Sequence, residues 1–186
     1  MLFDGVPAPI IYASAGQTSV MVPYGVFGRT TTSVVVEYSG VQSTALTYNV
    51  VLASPGIYTQ NSQGTGPGSI LNQNGSINGP NAPEKRGNVI TVYMTGEGMT
   101  TPQGTDGTII PSDGSGLKKP LLTVTATIGG VSANVLYAGS APGIVSGVMQ
   151  VNLLIPANAP TGAVPVVVNV GTATSASFGS PTVAIQ

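Results

Sequence analysis

The sequence predicts an all-β chain made of two copies of one strand order. Three observations lead there: a turn-rich composition, apolar residues that alternate with period two, and an internal repeat. The 186 residues include 26 Gly and 15 Pro, and 41% are hydrophobic, which is too apolar for disorder. Only 6% are charged, against roughly 25% in an average soluble domain. The length suits one large or two small domains.

Alternation marks the strands in order. In "QTSVMVP" Thr18, Val20 and Val22 share a face; in "TALTYNVVLA" Leu46, Tyr48, Val50 and Leu52 do. In "NVITVYMTG" the apolar face is Ile90, Val92 and Met94, and in "LLTVTATI" it is Leu122, Val124, Ala126 and Ile128. "VPVVVNV" (164–170) is nearly all apolar and reads as a central strand. Gly and Pro interrupt every window that could hold a helix.

The repeat organises these strands. "DGVPAPIIY" (4–12) aligns with "GGVSANVLY" (129–137), and "QTSVMVP" (17–23) with "QVNLLIP" (150–156). Each copy continues into a Gly-containing turn, a Val-rich strand and a closing strand, and the second carries extra residues around "SAPGIVSG". Short strands at this spacing fit two tandem immunoglobulin-like β-sandwiches, over 1–53 and 54–186. The second opens with a hairpin segment (about 54–87), where Asn74-Gly75 predicts a type I′ turn, and holds a long loop (about 100–120).

The residue inventory narrows the chemistry. With no His and no Cys, the Ser-His-Asp and Cys-His arrangements and ordinary zinc and haem sites are excluded, and no catalytic or cofactor-binding residue is assigned. "SGLK" (115–118) spaces Ser and Lys as a nucleophile pair would, but in a Gly-rich loop rather than on a helix. Asp4, Asp106 and Asp113 each precede Gly, which is turn chemistry, and Glu37 faces outward on a strand. Asp106 and Asp113 carry oxygens that would hold calcium weakly, without the EF-hand spacing; a plain loop is the preferred reading. "GTGPG" (64–68) lacks the Lys and the helix of a phosphate loop, and the sequon "NGS" (74–76) is better explained as a turn. Gln17 and Gln150 read as amides satisfying loop backbone, and Tyr12 and Tyr137 as core rings whose hydroxyls reach the rim. The net charge of −1, scattered along the chain, argues against nucleic-acid binding. No apolar run approaches the length that spans a membrane.

Several stretches together resemble a known family: "FDGVPAPIIYASAGQTSVMVPYGV", "SPGIYT", "LNQNGSIN", "YMTGEGMTTP", "IGGVSANVLYAG" and "APGIVSGVMQVNLLIPANAPTG". In this order they are similar to the uncharacterised C-terminal domain family of Solibacter-type secreted acidobacterial proteins, and the resemblance covers essentially the whole chain. It implies tandem IPT/TIG-like immunoglobulin folds at the C-terminus of a larger exported protein. The family has no assigned catalytic residues to carry over.

Set beside its second copy, the first lacks the strand-like sequence that precedes "IGGVSANVLY", so the first sandwich is expected to lack its opening strand. A bare edge of that kind calls for a strand from upstream sequence or from a neighbouring chain. The expected assembly edge comprises Leu2, Phe3, Ile10 and Tyr12, with Val183 and Ile185 of the closing strand as its partner surface. The function that follows is a non-enzymatic extracellular or cell-surface structural protein forming a homo-oligomer, filament or surface layer. The alternative is an adhesion or carbohydrate-binding module of a larger secreted protein, which the absence of Trp disfavours.

Overall fold

The computed structural model describes residues 1–186 and is all-β. The first strands are β1 (Leu2–Phe3) and β2 (Val6–Pro7), joined by Asp4 and Gly5. Both turn residues have positive φ (49° and 83°), the backbone a type I′ hairpin demands. Gly5 adopts it without steric cost, and Asp4 is held there by its carboxylate, which accepts from the Ser33 amide (3.0 Å) and the Thr32 hydroxyl (2.7 Å). Hairpin β3 (Ile10–Ala13) and β4 (Thr18–Val20) follows, then a 3-10 turn at Tyr24–Val26. Next come β5 (Thr31–Val35), hairpin β6 (Glu37–Tyr38) and β7 (Val41–Gln42), and β8 (Leu46–Asn49). The main sheet of this unit runs β2-β1-β5-β8. Its core is small: Phe3, Ala8 and Val26, with Met1, Val20, Val34 and Val50 packed against them.

The remainder builds one large sheet. Its strands are β9 (Gly56–Ile57), β10 (Gly66–Pro67), β11 (Ile70–Leu71) and β12 (Val89–Thr95). A short pair, β13 (Thr100–Thr101) and β14 (Lys119–Pro120), brackets the 102–118 loop. Then come β15 (Val124–Ile128), β16 (Val131–Ser140), β17 (Met149–Leu154), β18 (Gly162–Val170), β19 (Ala173–Thr174) and β20 (Pro181–Ile185). The order is β10-β20-β18-β15-β16-β17-β12-β11, with β19 beside β18 and β9 beside β12. Strand β16 pairs β15 through its first residues and β17 through its last, so it passes from one half of the sheet to the other. Between the halves lies the main core: Ile90, Val92, Met94, Val151 and Leu153 from one side, Ile128, Val166, Val168, Val170 and Val183 from the other. This arrangement is consistent with a β-sandwich. No helix is long and apolar enough to cross a membrane.

The repeat extends to pairing register. Leu2 faces Pro7 and Phe3 faces Val6; in the second unit Thr127 faces Ser132 and Ile128 faces Val131. Phe3 faces Val34 across β5 as Ile128 faces Val166 across β18. Ile10, Tyr12 and Ala13 face Val20, Ser19 and Thr18, as Val135, Tyr137 and Ala138 face Leu153, Asn152 and Val151. Both hairpins also break register at the same place, between Ile10 and Tyr12 and between Val135 and Tyr137. Ile11 and Leu136 are therefore equivalent bulge residues, and both point to solvent.

Two sequence expectations need correction. Asn74-Gly75 does form a hairpin, but only Gly75 has positive φ. The Gly75 amide donates to the Asn72 carbonyl (2.9 Å) and the Asn72 amide to the Ser76 carbonyl (2.8 Å), a three-residue loop with a glycine bulge rather than type I′. The alternating face expected around β8 is not buried: Leu46 and Tyr48 are 58% and 55% exposed, because no second layer covers this end of the sheet.

The contrast between the units sets a stability test. Ile90→Ala should cost about 2–5 kcal/mol in chemical denaturation, while Leu46→Ala should stay within about 0.5 kcal/mol.

Candidate functional site

Matching registers make the differences between the units informative. In the second unit β17 has a neighbour on each side, β16 and β12, and the β12 ladder runs from Val89–Leu154 to Met94–Met149. Its counterpart β4 pairs β3 alone. Likewise β20 lies between β18 and β10, while its counterpart β8 pairs β5 alone. The first unit thus presents two unpaired edges where the second has none. An unpaired edge offers backbone N–H and C=O groups to an added strand.

Apolar surface is concentrated on the same unit. Thirteen of the nineteen exposed large hydrophobic side chains lie within residues 1–52. Residues 38–83, which include β8, carry no charge, so the charged side chains that often protect an edge are missing there.

A groove of about 480 Å³ lies where the units meet, lined by Val20, Met21, Tyr24, Tyr48, Leu52 and Glu97 among others. Met21 reaches across the junction to Ala141 and Val148. The connection at 50–55 is clamped by a Gly-Glu-Gly run. A Cβ on Gly96 would collide with the Ser54 carbonyl, and one on Gly98 with the Leu52 carbonyl. Both glycines have positive φ, and the Ser54 amide donates to the Gly96 carbonyl (3.0 Å).

Between the two glycines Glu97 is 2% exposed. Its Oε1 accepts the Tyr24 hydroxyl at 2.8 Å, and its Oε2 is buried without a partner. Burial pushes the Glu97 carboxyl above the usual range, against the lowering effect of the Tyr24 hydrogen bond. Burial and then the Glu97 charge push the Tyr24 phenol up, and the same two causes, in that order, raise Tyr137. The Tyr24 amide donates to Asp106 Oδ1 at 2.9 Å, a second tie across the junction.

The expected edge residues divide. Ile10 and Tyr12 are 60% and 53% exposed on the β3–β4 hairpin. Leu2 and Phe3 are not at an edge, because β1 is paired by β2 and β5, and Phe3 is buried in the small core. Val183 and Ile185 are also buried, and β20 is paired on both sides, so the closing strand offers no free surface. Tyr12 is not the core ring expected, whereas the half-buried Tyr137 donates its hydroxyl to the Ser140 carbonyl (2.7 Å). The Gln150 amide meets Asn152 Oδ1 (2.9 Å), a side chain rather than loop backbone, and Gln17 is exposed. Asp106 and Asp113 are not brought together: one caps Tyr24 and the other accepts from the Ser115 amide (2.8 Å), which lowers its carboxyl. Glu97 and Tyr24 went unnoticed in the sequence, where the one signal was a lone carboxylate between two glycines in a chain poor in charge.

No family model, curated protein or solved structure matches the chain.

If Gly96 clamps the connection, Gly96→Ala should lower stability by more than about 1 kcal/mol, measured as a shift in the denaturation midpoint, because positive φ and contact with the Ser54 carbonyl both oppose a Cβ.

Proposed function

We propose that the chain is a non-catalytic extracellular structural module, two tandem immunoglobulin-like sandwiches, that joins copies of itself through strand edges. The observation that carries this reading is the unpaired side of β4 at the position where its counterpart β17 receives β12. The occupant in this reading is β8 of a second copy, and a strand preceding residue 1 is the competing occupant of the same edge. The β8 segment, "LTYN", sets Leu46 and Tyr48 on one exposed face, carries no charge, and is itself unpaired on its outer side. A contact between β8 of one copy and β4 of the next joins two different surfaces. It leaves one of each free and, where the rotation does not close into a ring, propagates into a filament. The sparse charge supplies little repulsion between copies. The resemblance to domains of secreted acidobacterial proteins agrees with an extracellular setting.

A second reading rests on Tyr12, Tyr38 and Tyr48, all exposed on the first unit, with Tyr38 at 82%. Exposed rings stack on sugars, so a carbohydrate-binding or adhesion module is the alternative, and saturable binding on a glycan array would favour it.

Sedimentation and negative-stain microscopy test the leading reading. The wild-type chain should form oligomers that lengthen with concentration, and Leu46→Lys with Tyr48→Lys should keep it monomeric without unfolding it. Added in small amounts to the wild type, the doubly substituted chain should shorten the filaments, since its β4 edge still accepts a neighbour. A wild-type chain that stays monomeric at its highest soluble concentration would sink the proposal.

A further inference from the structure

Glu97 is a buried carboxyl with one hydrogen bond, from Tyr24, and no cation to offset its ionisation. The groups that face it are Tyr24 from the 3-10 turn and Tyr137 from β16, with Asp106 beyond them on the Tyr24 amide. All are neutral or acidic. The ion pair of the molecule, Arg29 with Asp4 (3.3 Å), lies on the first unit. A buried carboxylate without a counter-ion is costly and is stabilised as the neutral acid.

Its position gives that cost a direction. Tyr24 belongs to the first unit and Glu97 to the second, so the carboxyl is buried by the contact between them. When the units separate, water reaches both oxygens. We infer that Glu97 and Tyr24 form a proton-controlled latch, which holds the two units together while the carboxyl is protonated and loosens them when it ionises.

The sign follows from linkage. The docked carboxyl titrates above its released counterpart, whose ordinary value is 4.5. Latch strength is therefore complete below about pH 4.5, falls as pH rises through the raised docked value, and is flat above it. Each unit of separation between the two values changes the opening equilibrium about tenfold. Release would also widen the groove and uncover Met21, Ala141 and Val148. The latch works within one chain, so it stands or falls independently of the assembly proposed above.

Amide hydrogen exchange on the intact monomeric chain tests it, with rates corrected for intrinsic base catalysis. The reporter is the Tyr24 amide, which crosses the junction to Asp106; Val92 and Val168, in the main core, are references. The Tyr24 opening constant should rise about tenfold or more between pH 4.5 and pH 8, with Val92 and Val168 unchanged. Glu97→Gln should abolish the rise, Asp106→Asn should leave it in place, and Tyr24→Phe, read at the same amide, should carry the rise to higher pH before it levels off, since the docked carboxyl loses the hydrogen bond that lowers it. A flat wild-type profile, a slope that survives Glu97→Gln, an upper limit of the rise unmoved by Tyr24→Phe, or core amides that open together with Tyr24 would each overturn the latch.

Discussion

A β-strand is satisfied when both of its hydrogen-bonding edges and its apolar face have partners, and β12 is where the two units part company on this requirement. In the second unit β12 pairs β17 along its length, takes β9 and β11 on its other side, and buries Ile90, Val92 and Met94 in the main core. Remove it in thought, together with β9, β10 and β11, and the pairing that remains is that of the first unit: the same registers, the same bulge, a core of three buried residues and a face open to solvent. The large difference in burial between the units thus follows from these missing neighbours rather than from different folding rules.

Much of the fold could be read in the sequence. Alternation located β12 and β15, and a nearly unbroken apolar run located β18, because each of these strands has neighbours on both sides that bury it. The repeat predicted corresponding residues, and the registers follow it to the residue. Alternation failed at β8 because an amphipathic pattern states which residues share a face, not whether anything covers that face. Sequence reasoning placed an edge at residues 1–12 but could not tell Phe3, enclosed by β2 and β5, from Ile10, since pairing is a property of distant segments. Turn chemistry was transferable in kind but not in place: type I′ backbone occurs at Asp4-Gly5, while Asn74-Gly75 uses a longer loop.

The candidate sites were harder to read for a related reason. Glu97 means little as one of six acidic residues; it matters because Gly96 and Gly98 press it beneath the connection and Tyr24 arrives from 73 residues away. Scarcity of charge sharpens such a position. In a chain with five basic residues, none of them beside Glu97, a buried carboxyl has only its protonation state with which to adjust.

The clamp at the connection has a mechanical meaning. Residues 52–54 are pinned beneath Gly96 and Gly98, so the two units are not beads on a slack string. A force that pulls the two units apart acts on this junction. It would load the Ser54–Gly96, Tyr24–Asp106 and Tyr24–Glu97 hydrogen bonds together, while the longer ladders of the second unit stay closed. Once those bonds part, the separation the units can gain is set by the few residues between β8 and β9.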